Sequence, residues 1–455
     1  MVNLRPYQTD LVESIRSAYR QGIQRCLAVA PTGSGKTVVF SYIAQQSLSR
    51  LSKTLILVHR QELLDQTSRT LTAFGVPHGV IAAGRSSDAT ERIQVASVQT
   101  LVRRLDHVTE PDLIVIDEAH HAIAGSWRKV VDRFGESRVL GVTATPERLD
   151  GKGLGSVFDR MVMGPKVADL QADGHLSVAK YYAPTSADLS GVKNRGGDYD
   201  QQGLESVMDR PTITGDAVDH YARLAHGMPA IAFCVSIAHA RNVAESFCRS
   251  GYDAATIDGT LSAQDRRDRV QMLGDGRLSV LTSCEIINEG FDVPVVGAAI
   301  LLRPTQSLGL HLQQIGRVLR PAPGKTHAVI LDHAGNLARH GLAEDDRDWS
   351  LEDRPKKKSG SGNASVAVRQ CPECFCCHAP SEQSCPECGY EYEVQGREIE
   401  HVDGELVEFS RSALTKQQEV WQAQSYEDLL RIQKARGYKP GWANIVWSKK
   451  RKNRK

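Results

Sequence analysis

A chain of 455 residues exceeds what one hydrophobic core usually supports, so its length predicts two or three domains. Its 56 lysines and arginines almost balance its 54 aspartates and glutamates, which excludes overall charge as the basis for binding a polyanion. The N-terminus lacks the apolar core of a secretory signal, and the sequence contains no apolar run of about 18 residues. We therefore expect a soluble, cytoplasmic protein without membrane contact.

Short apolar runs alternate with helix-like segments through most of the chain, which is typical of doubly wound α/β domains with parallel sheets. The first series of predicted strands comprises Cys26–Ala30, Thr54–Val58, Ile93–Ser97, Leu113–Ile116 and Val139–Thr143. The second series comprises Ala230–Cys234, Ala255–Ile257, Ser279–Thr282, Ala298–Leu302 and Ala328–Leu331. The two series predict two tandem α/β domains, at 1–165 and 166–350.

The remaining segments differ in composition from both domains. Ala183–Gln202 is rich in Gly, Asp, Ser and Asn and is expected to be a connector or inserted loop. The stretch 351–365 predicts a flexible basic linker, followed by a separate module at 366–395. The extension 396–455 contains a helical pattern over Leu414–Arg436 and ends in a basic tail. That tail suits phosphate contact and equally fits a solubilising terminus.

A glycine-rich loop separates the first predicted strand from a segment with helical spacing. It reads Ala30-Pro31-Thr32-Gly33-Ser34-Gly35-Lys36-Thr37. Glycines let successive amides face phosphates, the lysine supplies positive charge to the β and γ phosphates, and the threonine hydroxyl can bind Mg²⁺. Because Ala30 stands where this motif has glycine, the strand-loop-helix context supports the assignment. We predict a nucleoside triphosphate site with Mg²⁺ over Thr32, Gly33, Ser34, Gly35, Lys36 and Thr37.

Two carboxylates, Asp117 and Glu118, directly follow the apolar strand Leu113–Ile116. Open α/β sheets bind ligands at the carboxyl ends of their strands. Asp117 is suited to hold Mg²⁺ through water, and Glu118 to accept a proton from the water that attacks the γ-phosphate. These acids could instead cap a helix N-terminus, but the buried-type strand before them favours the nucleotide site.

These motifs, with three further segments, resemble the superfamily 2 helicases of the DEAH-box type over residues 1 to about 335. The further segments are Leu4-Arg5-Pro6-Tyr7-Gln8, Gly141-Val142-Thr143-Ala144-Thr145-Pro146 and Gln313-Gln314-Ile315-Gly316-Arg317-Val318-Leu319-Arg320. The resemblance implies two RecA-like domains, ATP between them and a nucleic-acid strand across their tops. The Asp-Glu-Ala-His sequence at 117–120 and Glu289-Gly290-Phe291-Asp292 are similar to RadD-like and XPB-like DNA repair helicases and to type III restriction motors.

The resemblance also assigns roles to individual residues. In it, Arg5 and Gln8 recognise adenine, and Gly290 and Asp292 lie near the nucleotide. It implies that Gln313, Arg317 and Arg320 face the nucleotide from the second domain; their spacing of four and three residues places them on one face of a helix. Such a face could also be merely solvated. The catalytic set is then Lys36, Glu118, Arg317 and Arg320.

Two further sets of residues follow from the same resemblance. The set that couples hydrolysis to strand binding is His120, Thr143 and Thr145. The set that contacts the nucleic-acid backbone is His59, Arg60, Ser97, Thr100 and Ser236. Phosphate contacts of this kind are independent of sequence and weaken with salt.

Six of the ten cysteines lie within eighteen residues, which indicates metal binding and not disulfides. Two Cys-Pro-Glu-Cys knuckles contribute Cys371, Cys374, Cys385 and Cys388. Their spacing predicts a structural zinc ribbon with four thiolate ligands, although an iron-sulfur cluster is an alternative occupant. The additional donors Cys376, Cys377 and His378 leave the exact ligand set open. The aromatic residues nearby, including Phe375, Tyr390 and Tyr392, could stack on bases or form the ribbon's small core.

The combined prediction is an ATP-dependent nucleic-acid helicase or translocase that acts on single-stranded or junction DNA, in a bacterial or phage cytoplasmic setting. A protein partner could bind through the ribbon or the C-terminal extension. Three alternatives remain open at this point. They are an ATP-gated DNA clamp or recruiter that does not unwind, the motor subunit of a restriction complex, and an RNA helicase.

Overall fold

The computed structural model describes residues 3–85, 90–148, 151–183, 192–195, 197–284, 293–353, 368–392, 423 and 425–452. The chain divides into a large unit at 1–392 and a small unit at 393–455. Both predicted α/β domains lie in the large unit. Within the described ranges, none of the helices combines the length and apolarity needed to cross a membrane.

The first domain is built on a parallel sheet with the strand order β3-β4-β2-β5-β6-β1-β7. Its strands are β1 Arg25–Val29, β2 Thr54–Val58, β3 Gly79–Ile81, β4 Ile93–Ser97, β5 Leu113–Asp117, β6 Arg138–Thr143 and β7 Arg160–Met163. Its helices are α1 Pro6–Arg20, α2 Lys36–Leu48, α3 Gln61–Ala73, α4 Val98–Leu101 and α5 Gly125–Arg133. The central strands are buried along their whole length because helices cover both faces of the sheet.

The second domain has a sheet with the order β12-β13-β11-β14-β15-β8-β17-β16, in which pairing is parallel from β12 to β8. Its strands are β8 Ala179–Tyr182, β11 Ala230–Phe233, β12 Ala254–Ile257, β13 Val280–Ser283, β14 Ala298–Leu301, β15 Ala328–Asp332, β16 Arg369–Gln370 and β17 Cys376–His378. A separate hairpin pairs β9 Asn194–Arg195 with β10 Asp198–Tyr199. The helices are α6 Val167–Ala172, α7 Gln201–Met208, α8 Pro211–Leu224, α9 Ile237–Arg249, α10 Ala263–Gly274, α11 Leu308–Val318 and α12 Asn336–His340.

The cysteine-rich segment is joined to the second domain and is not the separate module expected at 366–395. Strand β17 pairs antiparallel with β8, placing Cys376 opposite Tyr182 and Cys377 opposite Tyr181. The side chains of Cys371, Cys376 and Cys385 pack into the core on the same side of the sheet as Tyr182. A segment this small has little core of its own, so the open edge of β8 supplies both backbone partners and apolar surface.

Residues 341–353, here called the strap, leave the second domain and return to the first. Trp349 and Leu351 pack against the core of the first domain. Gly155 N donates a hydrogen bond to Leu351 O at 2.8 Å, and Gly153 N donates to Asp353 Oδ1 at 2.8 Å. The first residues of the predicted flexible linker at 351–365 are therefore docked, whereas 354–365 lie outside the described residues.

The small unit contains two described helices, α13 Tyr426–Ala435 and α14 Trp442–Lys452. Helix α13 begins at a capping box in which Ser425 Oγ accepts from Asp428 N and the Asp428 carboxylate accepts from Ser425 N. The predicted helix over Leu414–Arg436 thus overlaps α13 at its C-terminal end, while 414–422 lie outside the described residues. Basic residues of the predicted tail continue α14 to Lys452.

Candidate nucleotide site and nucleic-acid surface

The glycine-rich loop connects β1 to α2, and its two inner glycines have left-handed backbone conformations. Gly33 has φ +88° and Gly35 has φ +80°, values that residues with a β-carbon rarely adopt. Gly35 also lies against α1, since a β-carbon there would stand 2.5 Å from Gln8 Nε2. Helix α2 starts at Lys36, followed by Thr37, so its free N-terminal amides face the loop, as phosphate binding requires.

Two side chains of α1 hold the loop in position. Gln8 is buried, its Nε2 donates to Ser34 O at 3.1 Å, and its Oε1 accepts from Arg5 N at 3.0 Å. Tyr7 donates from its hydroxyl to the same Ser34 carbonyl at 3.0 Å. The adenine-recognition segment expected around Arg5 and Gln8 is therefore adjacent to the loop, and Gln8 already bonds to it.

Asp117 and Glu118 lie at the carboxyl end of the central strand β5, and both are buried. Glu118 has φ +51°, which is strained for a residue with a β-carbon, and its N–H donates to Asp117 Oδ1 at 3.0 Å. Glu118 Oε2 is buried without a hydrogen-bond partner and lies 3.4 Å from His120 Nδ1. A buried carboxylate oxygen in this position can accept a proton from a bound water.

Helix α11 of the second domain packs directly on the loop. A β-carbon on Gly316 would stand 2.4 Å from Thr32 Cβ, and one on Gly33 would stand 3.6 Å from Arg320 Cγ and 2.9 Å from Leu176 Cδ2. The nucleotide loop is thus in contact with the helix that carries the predicted arginines. These contacts define a cleft between the two sheets with the loop on one wall.

Charges from both walls act on Lys36. Burial lowers the pKa of Lys36, while Glu118 and Asp117 act in the opposite direction. The positive charges of Arg317 and Arg320 lower the pKa of Lys36 further. Arg317 directly follows Gly316 in α11, and Arg320 Cγ would stand 3.6 Å from a β-carbon on Gly33, so both arginines lie on the wall opposite Lys36.

The expectation that Gln313, Arg317 and Arg320 share one helix is correct for the first two only. Helix α11 ends at Val318, so Arg320 lies in the turn that follows. Lys325 Nζ holds this turn by donating to the carbonyls of Val318 at 2.6 Å and Arg320 at 2.7 Å. Gln313 and Arg317 lie in α11, as the spacing predicted, and both are buried, which argues against the merely solvated helix face.

Hydrogen bonds connect the carboxylate strand to the cleft through the predicted coupling residues. His120 Nδ1 and Thr143 Oγ1 are 3.2 Å apart. Thr143 Oγ1 also accepts from Thr145 N at 3.2 Å. A β-carbon on Gly309, in the first turn of α11, would stand 3.0 Å from Thr145 Oγ1. His120, Thr143 and Thr145 therefore form a continuous path from Glu118 to the second domain.

Four of the five predicted nucleic-acid residues lie at the carboxyl edge of the first sheet. His59 and Arg60 follow β2, and its neighbour β4 leads through Ser97 to Thr100. Ser97 Oγ donates to Gln99 Oε1 at 2.7 Å, and the ring of His59 lies 4.8 Å from that of His121. The structure brings these four together.

Ser236 lies in the second domain, and its hydroxyl is already engaged. It caps α9 by accepting from His239 N at 3.1 Å and bonds to the Glu205 carboxylate. It follows β11, at the carboxyl edge of the second sheet. Gly290 and Asp292 lie outside the described residues.

The thiolates of Cys371, Cys374, Cys385 and Cys388 form one cluster, with all four sulfurs within 4.8 Å of one another. The Cys371–Cys388 and Cys374–Cys385 sulfur pairs are each 3.6 Å apart. Tetrahedral zinc with Zn–S bonds of about 2.3 Å requires sulfurs about 3.8 Å apart, so the cluster fits this ion. Gly389 has φ +76°, as the turn after the second knuckle requires.

The three additional donors have other partners. His378 Nε2 shares a 2.6 Å hydrogen bond with the Tyr392 hydroxyl, and its Nδ1 lies 2.9 Å from Ala379 O. Cys376 and Cys377 lie on β17 and are buried. The ring of Tyr392 also contacts the Arg369 guanidinium at 4.5 Å. The ribbon-core interpretation of Tyr392 therefore has more support in the packing than base stacking does.

Sequence reasoning missed several residues that shape the cleft. They are Leu176, Gly309 and Lys325. The hydrogen bond from Tyr7 to the loop and the pairing of Gly316 with Thr32 were also not predicted, although these residues lie in the quoted motifs. Two glycines seven residues apart on α11, Gly309 and Gly316, were the available signal, because that spacing puts both on one face of a helix. The partners they approach could not be found from one segment alone.

Comparisons with known proteins agree with this geometry. The family model "Type III restriction enzyme, res subunit" matches residues 1–148, and "Helicase conserved C-terminal domain" matches residues 215–322. A 51.5 kDa protein of a Lactococcus phage is 33% identical, over 80% of this chain and 78% of that protein.

Two further relatives carry functional names. IRC3 of Saccharomyces cerevisiae, named as an ATP-dependent helicase, is 34% identical over 73% of this chain, which spans 51% of that protein. The DNA 3'-5' translocase XPB2 of Sulfurisphaera tokodaii is 24% identical over 70% of this chain and 79% of that protein.

Among solved structures, a fragment of an HsdR subunit of a type I restriction enzyme from Vibrio vulnificus shares the fold. It aligns with a TM-score of 0.60 and 22% identity over 74% of this chain and 67% of the fragment. Both domains are RecA-like α/β domains with parallel sheets. The chain belongs to the superfamily 2 helicases, enzymes that use ATP to act on nucleic acid.

Proposed function

We propose that this helicase hydrolyses ATP at the seam between its two sheets and moves on DNA, with half of the catalytic groups contributed by each domain. The observation that carries the proposal is the contact between α11 and the nucleotide loop, where a β-carbon on Gly316 would stand 2.4 Å from Thr32 Cβ. Arg317 directly follows Gly316, and Arg320 Cγ would stand 3.6 Å from a β-carbon on Gly33, so both arginines of the second domain are carried beside the loop that leads to Lys36. A site of this kind is complete only when the domains are together, so hydrolysis and domain movement are linked.

Each group has a chemical role in this proposal. The loop amides and Lys36 bind the phosphates, and Thr37 and Asp117 would hold Mg²⁺, which neutralises phosphate charge when bound. Glu118 accepts the proton of the attacking water; its Oε2 is buried, accepts no hydrogen bond and lies 3.4 Å from His120 Nδ1, which supports this role. Arg317 and Arg320 stabilise charge that develops on the transferred phosphoryl group, an effect worth about 10³ to 10⁵ in rate in characterised enzymes.

The proposed DNA track runs across the carboxyl edges of the two sheets. On the first sheet it would contact His59, Arg60, Ser97 and Thr100, which lie together there. On the second sheet the hydroxyl of Ser236 is already bonded to the Glu205 carboxylate. The contact with the strand at this position would therefore come from the N-terminal amides of the helix that Ser236 caps. Helix α9 starts directly after Ser236 and presents its first amides at the same edge.

DNA is the preferred nucleic acid for three reasons. The first domain matches a type III restriction enzyme model, the relative XPB2 is named as a DNA translocase, and residues 117–120 read Asp-Glu-Ala-His. The DEAH-type, RadD-like assignment and a role in repair, recombination or replication rest on the same observations. An RNA helicase remains the alternative with the same chemistry.

We propose that the four-cysteine cluster holds a structural zinc ion. Four thiolates leave no open coordination position, which supports a structural and contact role. The cluster is fused to the edge of the second sheet through β17, so the ion would stabilise the motor domain itself. A protein partner would bind the remaining surface of this module or the C-terminal unit.

ATPase activity measured with single-stranded DNA, forked DNA, duplex DNA and RNA tests the proposal. We expect stimulation by DNA, and loss of turnover by about 10² to 10⁴-fold in Glu118→Gln with nucleotide binding retained. Lys36→Ala should lose nucleotide binding as well. Glu136→Gln, an exposed acid of the same domain, is the matched control and should behave as wild type.

Strand displacement measured beside phosphate release separates the alternatives. Displacement of forked DNA supports a helicase, whereas hydrolysis without displacement supports an ATP-gated clamp or recruiter. Stimulation by RNA alone would overturn the preference for DNA. Activity that requires a separate nuclease subunit, recovered by pull-down, would support a restriction motor.

A further inference from the structure

A cavity of about 200 Å³ lies in the second domain beside the first cysteine knuckle. We call it the knuckle pocket, and its lining includes Tyr182, His220, Arg223, His333, Glu373 and Phe375, together with Cys374 of the cysteine cluster. Tyr182 ends β8 and His333 directly follows β15, so the pocket lies at the carboxyl edge of the second sheet. Ser236, in the proposed track, lies at the same edge.

Two imidazole rings in the pocket have nitrogens without hydrogen-bond partners. His333 is 4% exposed, and its Nε2 has no hydrogen-bond partner. His220 is partly buried, and its Nδ1 also has no hydrogen-bond partner. The two ring centroids are 5.1 Å apart. A buried polar atom without a hydrogen-bond partner destabilises the folded protein, so a ligand with hydrogen-bonding groups would gain by pairing with these nitrogens.

The chemistry of the pocket favours an uncharged, planar ligand. Burial lowers the pKa of both histidines, to about 3 for His333, so both rings are neutral at physiological pH. Neutral imidazoles provide donors and acceptors for the edge of a heterocycle. Arg223 and Glu373, which also line the pocket, carry opposite charges and give it no net charge to attract a phosphate. The volume is below the about 300–1,000 Å³ of typical small-molecule sites, which suits a single ring system.

An exposed aromatic ring lies at the rim. Phe375 is 42% exposed and has φ +61°, an uncommon conformation for a bulky residue. Its N–H donates to Cys371 O at 3.0 Å, and its carbonyl accepts from Ala183 N at 3.3 Å. The knuckle and the β8 edge therefore fix this ring beside the pocket, where it can stack on a ligand.

We propose that the knuckle pocket receives one unstacked nucleobase of the bound strand, with Phe375 stacking on the base and the two histidines meeting its edge. This inference rests on the proposed function, because it assumes a strand along the carboxyl edges of the sheets. It assigns the cysteine module a second role, which is to hold Phe375 in place.

Binding of a 12-nucleotide oligo(dT), with a single abasic site moved through every position, tests the proposal. Stacking contributes about 1–3 kcal/mol per base, so an abasic site at one position should weaken binding about 5- to 150-fold. Phe375→Ala should weaken binding of the intact strand by a similar factor and remove the dependence on that position. Phe375→Tyr should restore both, and Val178→Ala, an exposed apolar residue of the same domain, is the control.

The outcomes separate this inference from the proposed function. If DNA binds and stimulates ATPase but affinity is the same for every abasic position, the pocket does not hold a base. Wild-type affinity in a folded Phe375→Ala variant would lead to the same conclusion. If free thymidine at micromolar concentration blocks the pocket and abolishes the effect, the site is made for a free heterocycle and the proposal is wrong. Absence of all nucleic-acid binding would contradict the proposed function instead.

Discussion

Gly316 of α11 packs against Thr32 of the nucleotide loop so closely that a β-carbon on Gly316 would stand 2.4 Å from Thr32 Cβ. The two residues belong to different RecA-like domains, and no side chain of Gly316 separates the helix from the loop. Since Arg317 is the next residue, this contact determines how closely its guanidinium can approach the phosphates. A glycine in the middle of a helix is otherwise unfavourable, by about 1 kcal/mol relative to alanine.

Gly316→Ala should therefore reduce activity without reducing stability. The new methyl group prevents full closure, and we expect DNA-stimulated ATPase turnover to fall at least about tenfold, by analogy with misplaced catalytic groups. The free energy of unfolding should stay equal or rise slightly, because alanine favours the helix. Steady-state kinetics and denaturant unfolding measure both quantities.

The matched control is Gly274→Ala, also a helical glycine of the second domain. A β-carbon there would stand 3.5 Å from Val293 Cγ1, which is ordinary contact. This variant should keep wild-type turnover. Equal turnover in the wild type and the Gly316→Ala variant would show that the observed contact is not formed during hydrolysis.

Arg317→Ala and Arg320→Ala should each slow hydrolysis much more than they weaken ATP binding. Both charges act on Lys36 across the cleft, and at least one should contribute the about 10³- to 10⁵-fold rate effect of a catalytic arginine. Single-turnover hydrolysis and nucleotide titration separate the two effects. Arg249→Ala, an exposed residue of α9, is the control. Near-normal rates in both cleft variants would exclude a catalytic role for the second domain.

The docking of the strap on the first domain should require glycine at position 153, because a β-carbon there would stand 2.1 Å from Leu351 O. Gly153→Ala should displace the strap and expose Trp349, lowering the free energy of unfolding by about 1–3 kcal/mol. Limited proteolysis should then cut within 345–353 faster than in the wild type. Gly135→Ala, where the nearest atom would be 3.9 Å away, should leave cleavage and stability unchanged. A resistant strap in Gly153→Ala would contradict this account.

Removal of the predicted zinc ion should destabilise the second domain and not only the cysteine segment. Strand β17 pairs with β8, and Cys371 packs into the core of that sheet. We expect one zinc per chain by elemental analysis, and a loss of about 3 kcal/mol or more in Cys371→Ser, because structural zinc provides folding energy. Cys248→Ser, an exposed cysteine outside the cluster, should change neither value. A coloured protein containing iron would instead support the iron-sulfur alternative.

His311 should make the second domain sensitive to acid. Burial, with the nearby charges of His340 and Arg347, lowers the pKa of His311 to about 3, against an ordinary value of 6.5. As the pH falls below 6.5 the unfolded chain binds this proton first, so the free energy of unfolding decreases until about pH 3. The slope approaches about 1.4 kcal/mol per pH unit for one such group.

Unfolding measured between pH 7 and pH 5 in the wild type and in His311→Gln isolates this contribution from that of the carboxylates. The wild type should lose more stability over this interval than the variant, which has no titrating ring. His107→Gln, an exposed residue, should follow the wild type. Parallel curves for the wild type and the His311→Gln variant would contradict the assignment.

Strands made of continuous apolar runs could be predicted from the sequence almost to the residue. Thr54–Val58 and Ile93–Ser97 match β2 and β4 at both ends, because a fully buried parallel strand needs apolar side chains on both faces. The short strands β3 and β7 were not predicted. Edge or three-residue strands contain too few buried side chains to create such a run, and their pairing depends on a neighbour far away in sequence.

Three parts of the site could be predicted from the sequence: the glycine-rich loop, the two acids and the four cysteines. Each of them depends on residues that lie close together in the chain. The glycines must adopt positive φ, the acids must follow a buried strand, and each cysteine pair must approach one ion. Their contacts across the cleft were not predictable. The end of α11 before Arg320 depends on Lys325, which lies seven residues beyond the last residue of the helix, Val318.

The amino-acid sequence alone determined the two α/β domains, the triphosphate loop and the cysteine cluster, because local backbone geometry and hydrophobic patterning encode each of them. Only the tertiary structure decided that Gly316 meets Thr32, that the strap returns to the first domain, and that β17 completes the second sheet. Each of these contacts joins segments more than a hundred residues apart. Such contacts arise from packing between surfaces that are complementary only after both domains have folded, and no single segment of sequence records that complementarity.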